Sequence, residues 1–95
     1  MKYSLETTSR FDKELKKLDK YTQKLITGWI RKNLLGCENP RLIGKAMSAD
    51  LKKLWRYRIG DYRLICVIED NILTILALSI GHRKKVHDSF KKKHQ

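Results

Sequence analysis

Polar and apolar residues alternate over residues 2–8, with Tyr3, Leu5 and Thr7 on one side and Lys2, Ser4 and Glu6 on the other. A period of two predicts a short, half-buried strand. Ser9 then fits a helix N-cap. Phe11, Leu15 and Leu18 follow at helical spacing, with Lys13, Lys16, Lys17 and Lys20 outside. A break near residues 19–21 opens a second helix. Its apolar stripe is Leu25, Ile26, Trp29, Ile30 and Leu34, while Lys24, Arg31 and Lys32 face out. Gly36 is placed to end it. Two amphipathic helices with a short turn between them form an αα-hairpin. Residues 37–50 read as irregular, with Asn39-Pro40 and Gly44 as breakers.

The period then changes. Over residues 54–59, Trp55, Tyr57 and Ile59 alternate with Leu54, Arg56 and Arg58. Gly60-Asp61 suits a two-residue hairpin loop of type II′. Residues 62–69 are β-branched and aromatic-rich, and Asp70-Asn71 marks the next turn. Residues 72–80 are almost wholly apolar, which suits a strand buried on both faces. Gly81 ends it, and the tail from Lys84 is left open between a short helix and a frayed end. The fold class expected is α+β: a two-helix hairpin packed on a small antiparallel sheet, in the order β-α-α-β-β-β, with a C-terminal basic tail or short helix.

Ninety-five residues make a single domain spanning 1–95. No apolar run approaches the roughly 18–20 residues of a membrane helix, and Glu6 stands where a signal peptide needs an apolar stretch. Two cysteines make no disulfide framework and no four-ligand zinc site. A reduced, cytoplasmic protein is expected. Twenty-two Lys and Arg against ten Asp and Glu give a formal charge of +12. So large a charge on so small a body predicts a polyanionic partner: nucleic acid, an acidic protein, or both in turn.

Charged helix faces are ordinarily just solvated, so the arginines of the sheet are more informative. Arg56, Arg58, Arg63 and Arg83 all fall on or beside the last three strands, in a register that sequence alone leaves open. A guanidinium offers a planar fork of donors that matches phosphate oxygens, and the acids are too few to pair with every base. All three histidines, His82, His87 and His94, lie in the last 14 residues, with Arg83, Lys84 and Lys85 between the first two. Their spacing does not suit a metal, and no cofactor is implied. Histidine titrates where proton transfer near neutrality needs it. Arginines beside a titratable group suit RNA self-cleavage, in which a ribose 2′-OH attacks its own phosphate. That reaction needs a base at the 2′ oxygen, positive charge on the phosphorane and an acid at the 5′ leaving oxygen. Cys66, inside an apolar strand, reads as core. Cys37 beside Glu38 is a poor nucleophile. Trp29, Trp55, Tyr57 and Tyr62 fall on apolar periodic faces and read as core aromatics.

Four segments carry a resemblance: FDKELKKL (residues 11–18), NPRLIGKA (39–46), LWRYRIGDYRLI (54–65) and IGHRKKVHD (80–88). Together they resemble the RelE/ParE toxin superfamily over about residues 2–90. The resemblance implies the same β-α-α-β-β-β fold. It also implies a toxin of a type II toxin–antitoxin pair, held inactive by a RelB-like antitoxin. Physics favours an acidic, partly disordered antitoxin that covers the arginine face or displaces the tail. The RelE-like branch cleaves mRNA in the ribosomal A site without metal. By position, Arg63 and Arg83 would bind the scissile phosphate, Arg56 stands where that branch has a catalytic lysine, and His87 where it often has a tyrosine. Lys52, Lys53, Arg58, His82, Lys84 and Lys85 would bind RNA. Leu54 stands where the branch has a second lysine, and arginine hardly deprotonates. Proton transfer therefore falls to His87, His82, Lys52 or Lys53. Two alternatives differ in kind: a ParE-like inhibitor of DNA gyrase, in which the arginines are surface charge, and a catalytically degenerate nucleic-acid-binding homologue.

Overall fold

A computed structural model describes residues 1–47 and 53–82 of the chain. Their elements run β1 (Ser4–Thr7), α1 (Ser9–Lys16), α2 (Lys20–Asn33), β2 (Lys45–Ala46), β3 (Leu54–Ile59), β4 (Tyr62–Glu69) and β5 (Thr74–His82). The two helices pack on one face of a five-stranded sheet ordered β1-β5-β4-β3-β2. The expected meander of β3, β4 and β5 is antiparallel throughout. The sheet as a whole is mixed, because β1 lies parallel to β5. Parallel neighbours cannot be joined by a tight turn, and here both helices and three strands intervene between β1 and β5.

Thr8, not Ser9, caps α1. Its backbone is extended and its Oγ1 accepts the Phe11 N–H at 3.1 Å, which leaves Ser9 as the first helical residue. Asp19 caps α2 through the Thr22 N–H at 3.2 Å, and its bonds to Thr22 hold the carboxyl below the usual range. The buried line of α2 is Thr22, Ile26, Ile30 and Leu34. Leu25, expected in that stripe, is 46% exposed. It lies 100° from Ile26 on the helix, too far round to share its face. Gly36, at φ +75, ends the element and donates its N–H to Tyr3 O.

Phe11, Ile26, Ile30 and Leu34 meet Tyr57, Ile59, Leu64, Cys66, Ile75, Ala77 and Ile80 in the main core. The expected core aromatics take their places there, with Tyr57 fully buried and Trp29, Trp55 and Tyr62 packed against it. On the far face, Leu54, Met47 and Leu78 pack on the buried Ile65. The last strand begins at Thr74 rather than at residue 72. Asp70–Ile72 form a 3-10 turn that closes on Leu73 in the left-handed region, at φ 48. The strand also continues through Gly81 to His82. One register shift beside Ile65 and Cys66 leaves Leu78 and Ser79 together opposite Ile65. Glu14 covers the β5 edge there, accepting from Ser79 Oγ at 2.7 Å and Ile80 N–H at 3.2 Å.

Candidate active site

The alternation of β3 sends Tyr57 and Ile59 toward the helices, so Arg56 and Arg58 point to the opposite face. The Gly60-Asp61 loop sets which residues of β4 they meet. Gly60 takes φ +60 while Asp61 stays out of the positive region, the pattern of a type II′ turn. The register that results places Arg58 directly opposite Arg63 and Arg56 opposite Ile65.

The loop expected to be irregular adds a fourth cation. Its last two residues pair with β3 as β2, which sets Lys45 opposite Arg56. Gly44 makes that approach possible. At φ +80, a Cβ on it would lie 2.8 Å from Trp55 Nε1 and from Tyr57 Cδ1, and closer still to the Arg56 carbonyl. The same loop is tied down along its length. Arg41 holds Asp70 with two hydrogen bonds of 2.9 and 3.1 Å. Tyr3 OH donates to the same carboxylate at 2.7 Å. Trp55 Nε1 donates to Ile43 O at 2.8 Å, and Tyr57 OH to Pro40 O. The Arg41 guanidinium also lies 5.8 Å from the Trp55 ring centroid. These bonds hold the Asp70 carboxyl below the usual range, with Arg41 the larger cause and Tyr3 the second.

Lys45, Arg56, Arg58 and Arg63 line a cleft of about 480 Å³, whose other wall includes Trp29 and Ile43. Trp29 packs on Tyr57 with ring centroids 5.6 Å apart. Like charges placed directly across a ladder destabilise it, yet Lys45–Arg56 and Arg58–Arg63 are two such pairs. Among the described residues, neither Arg56 nor Arg58 has a carboxylate partner. A surface of this kind is complementary to an anion that bridges the guanidinium groups.

The expected site is only partly brought together. Arg56, Arg58 and Arg63 share one face. His82 is opposite Tyr62, with ring centroids 6.1 Å apart, at a position that alternates away from Arg63. Lys53 lies at the far end of β3 from Arg58, its Nζ 3.7 Å from Glu69. Arg83, His87, Lys84, Lys85 and Lys52 lie outside the described residues. Sequence reasoning missed Lys45, Trp29 and the Arg41–Asp70 clamp. Local periodicity carries no signal for any of them as site residues, since each is brought there by a non-local contact. Burial pushes both thiols up, Cys66 strongly and Cys37 less, and for Cys37 it is burial rather than Glu38 that does so. Among the described residues no three His, Cys, Asp or Glu side chains gather into a cation-binding group.

This fold has been seen before. A double mutant of E. coli toxin RelE in the free state superposes with a TM-score of 0.73 at 21% identity, covering 98% of each chain. In the RelBE2 toxin–antitoxin complex of Mycobacterium tuberculosis the match is 0.75 at 25% identity, over 87% of this chain and 93% of that one. The RelE–RelB complex of Pyrococcus horikoshii gives 0.65 at 27%, over 87% and 97%. No curated protein matches by sequence. A family profile does: the ParE toxin of type II toxin–antitoxin systems, over residues 5–87. A profile spanning nearly the whole chain, together with a sheet and helical hairpin shared with RelE, identifies this protein as a type II toxin of the RelE/ParE family.

Proposed function

We infer that this toxin is an endoribonuclease that cleaves mRNA in the ribosomal A site, in the cytoplasm, without a cofactor. The observation that carries this reading is the pair of like-charged ladders, Lys45–Arg56 and Arg58–Arg63, on one face of the sheet. Among the described residues Arg56 and Arg58 have no carboxylate partner, and a phosphodiester has the charge and the acceptor geometry to bridge their guanidinium groups.

The reaction follows from what the phosphate needs. The ribose 2′ oxygen attacks the adjacent phosphorus, forming a P–O bond as its proton passes to a base. The bond from phosphorus to the 5′ oxygen breaks, and an acid protonates that oxygen. A 2′,3′-cyclic phosphate and a 5′-hydroxyl result. Arg56 and Arg63 stabilise the charge that builds on the phosphorane, assisted by Arg83, the next residue in the chain after His82. A guanidinium is a fixed charge, which suits this role and not proton transfer. His87 is assigned the proton transfer. Arg58 and Lys45 hold the flanking phosphates, with Lys52, Lys53, Lys84 and Lys85 as further contacts to RNA. A RelB-like acidic antitoxin would silence the enzyme by covering this face.

Cleavage mapped on programmed ribosomes tests the reading. Wild type is expected to cut in the A site. Arg63→Ala and Arg83→Ala are each expected to lower the rate by about 10²–10³-fold, the usual cost of one transition-state donor. His87→Ala should abolish cutting unless another group moves the proton. No cutting by wild type on occupied ribosomes would overturn the proposal. One observation favours a second reading, an inhibitor of DNA gyrase: the matching profile is described as a ParE toxin. Trapped gyrase–DNA complexes with intact mRNA would establish that reading.

A further inference from the structure

A helix that lies on a sheet normally turns charged residues to solvent and apolar ones inward. The outermost line of α2 departs from that rule. With Thr22, Ile26 and Ile30 buried, the outward side of the helix carries Tyr21 and Gly28 near its pole and Leu25 on its flank, and Leu35 continues the line just past its end. Tyr21 is 76% exposed, Leu25 46% and Leu35 55%. Gly28 sits midway along the line, exposed, and a Cβ there would meet nothing within 4 Å. Glycine is the costliest ordinary residue inside a helix apart from proline, and nothing among the described residues needs it at that point. A notch between two exposed apolar side chains is the shape that lets a second helix approach closely.

The surroundings say which partner fits. Lys20, Lys24 and Arg31 flank the line on one side and Lys32 interrupts it, all exposed. Among the described residues none of the four has a carboxylate partner. A second copy of a chain with charge +12 would bring like charges together. RNA would leave the apolar line uncovered. We propose that Tyr21, Leu25, Gly28 and Leu35 form a docking stripe for an amphipathic helix of the acidic antitoxin, with its apolar face on the stripe and its carboxylates on Lys20, Lys24, Arg31 and Lys32. None of these residues lines the cationic cleft, but Trp29 and Asn33 of the same helix do, so the antitoxin would hold the toxin beside the site it blocks. The inference rests on the toxin–antitoxin reading of the chain and is independent of which reaction the toxin performs.

The glycine gives the test. Gly28→Gln adds a good helix former in open space, so the free toxin should melt several degrees higher. The same side chain fills the notch, so the affinity for the cognate antitoxin, measured by calorimetry on purified chains, should fall at least tenfold. Leu25→Ala should weaken the complex as well, with the free toxin's melting temperature little changed. A variant that is more stable yet binds less tightly cannot be explained as a folding defect. Unchanged antitoxin affinity in both variants would overturn the proposal. So would a wild-type homodimer that dissociates on Gly28→Gln, or a loss of ribosome binding with antitoxin affinity intact. If wild type binds no antitoxin, the partner reading fails too, whereas binding by wild type with no effect of either variant condemns the stripe alone.

Discussion

At the scale of single residues, two glycines with positive φ do different work. Gly60 and Gly44 take φ +60 and +80, but only Gly44 lies against other atoms of the chain. Gly60→Asn is expected to cost only the strain of its positive φ, about 1 kcal/mol, since its side chain meets open space. Gly44→Asn must displace the Arg56 carbonyl or the Trp55 and Tyr57 rings. We expect it to cost about 2 kcal/mol or more, a fall in Tm of about 10 °C, and to move Lys45 out of register with Arg56. Thermal melts of the two variants check this; equal melting temperatures would refute it. Asp70 makes a prediction in pH. Its folded pKa is depressed, so its contribution is present above the ordinary carboxylate range and disappears as the pH falls through the lowered value. The side chain is half exposed, and the pair is worth about 1 kcal/mol or less. Asp70→Asn should therefore be less stable than wild type near neutrality and equal to it in strong acid. A gap that persists in acid would mean that packing, not charge, supplies the clamp.

At the scale of elements, the β3–β4 hairpin opposes stability to function. Arg58 and Arg63 face each other across the ladder. Arg58→Glu sets a carboxylate opposite the Arg63 guanidinium, and an opposite-charge pair across a ladder is worth roughly 0.2–1 kcal/mol. The variant is expected to melt higher and to bind RNA more weakly. A lower Tm would show that Arg58 already has compensation in the folded chain. This hairpin is also the part of the site most legible in the sequence. Its period of two sends Tyr57 and Ile59 inward and Arg56 and Arg58 outward, while the register that pairs Arg58 with Arg63 is seen only in the folded hairpin. The opposite case is Lys45. Its place depends on a two-residue strand, a glycine that permits close approach and an Arg41–Asp70 contact 29 residues long in sequence. None of these leaves a periodic trace. The parallel pairing of β1 with β5 was hidden for the same reason, since strand direction is decided by a distant partner. Leu25 was misplaced because adjacent apolar residues on a helix lie 100° apart, and a stripe of five cannot all face one core.

At the scale of the whole molecule, the charge of +12 is divided by the sheet into two surfaces. The helices carry exposed Lys13, Lys16, Lys17, Lys20 and Lys24 on one side, and the cleft gathers Lys45, Arg56, Arg58 and Arg63 on the other. If the cleft is where a single RNA strand binds, only its cations should release counterions. Four phosphate contacts give a slope of log K against log salt of about −2.8 for single-stranded RNA. Between 50 and 200 mM salt the affinity for a short oligonucleotide should then fall about 50-fold. Arg58→Ala should reduce the slope by about 0.7, and Lys13→Ala, across the sheet, should leave it unchanged. Measuring the slope separates the two surfaces in a way that affinity at one salt concentration does not, because the total charge changes equally in both variants. Equal reductions would mean that the RNA is held by the field of the whole chain, and that the cleft has no special claim on the phosphates. A reduction confined to Arg58→Ala would leave the helix lysines for some other acidic surface, such as that of the antitoxin helix proposed above.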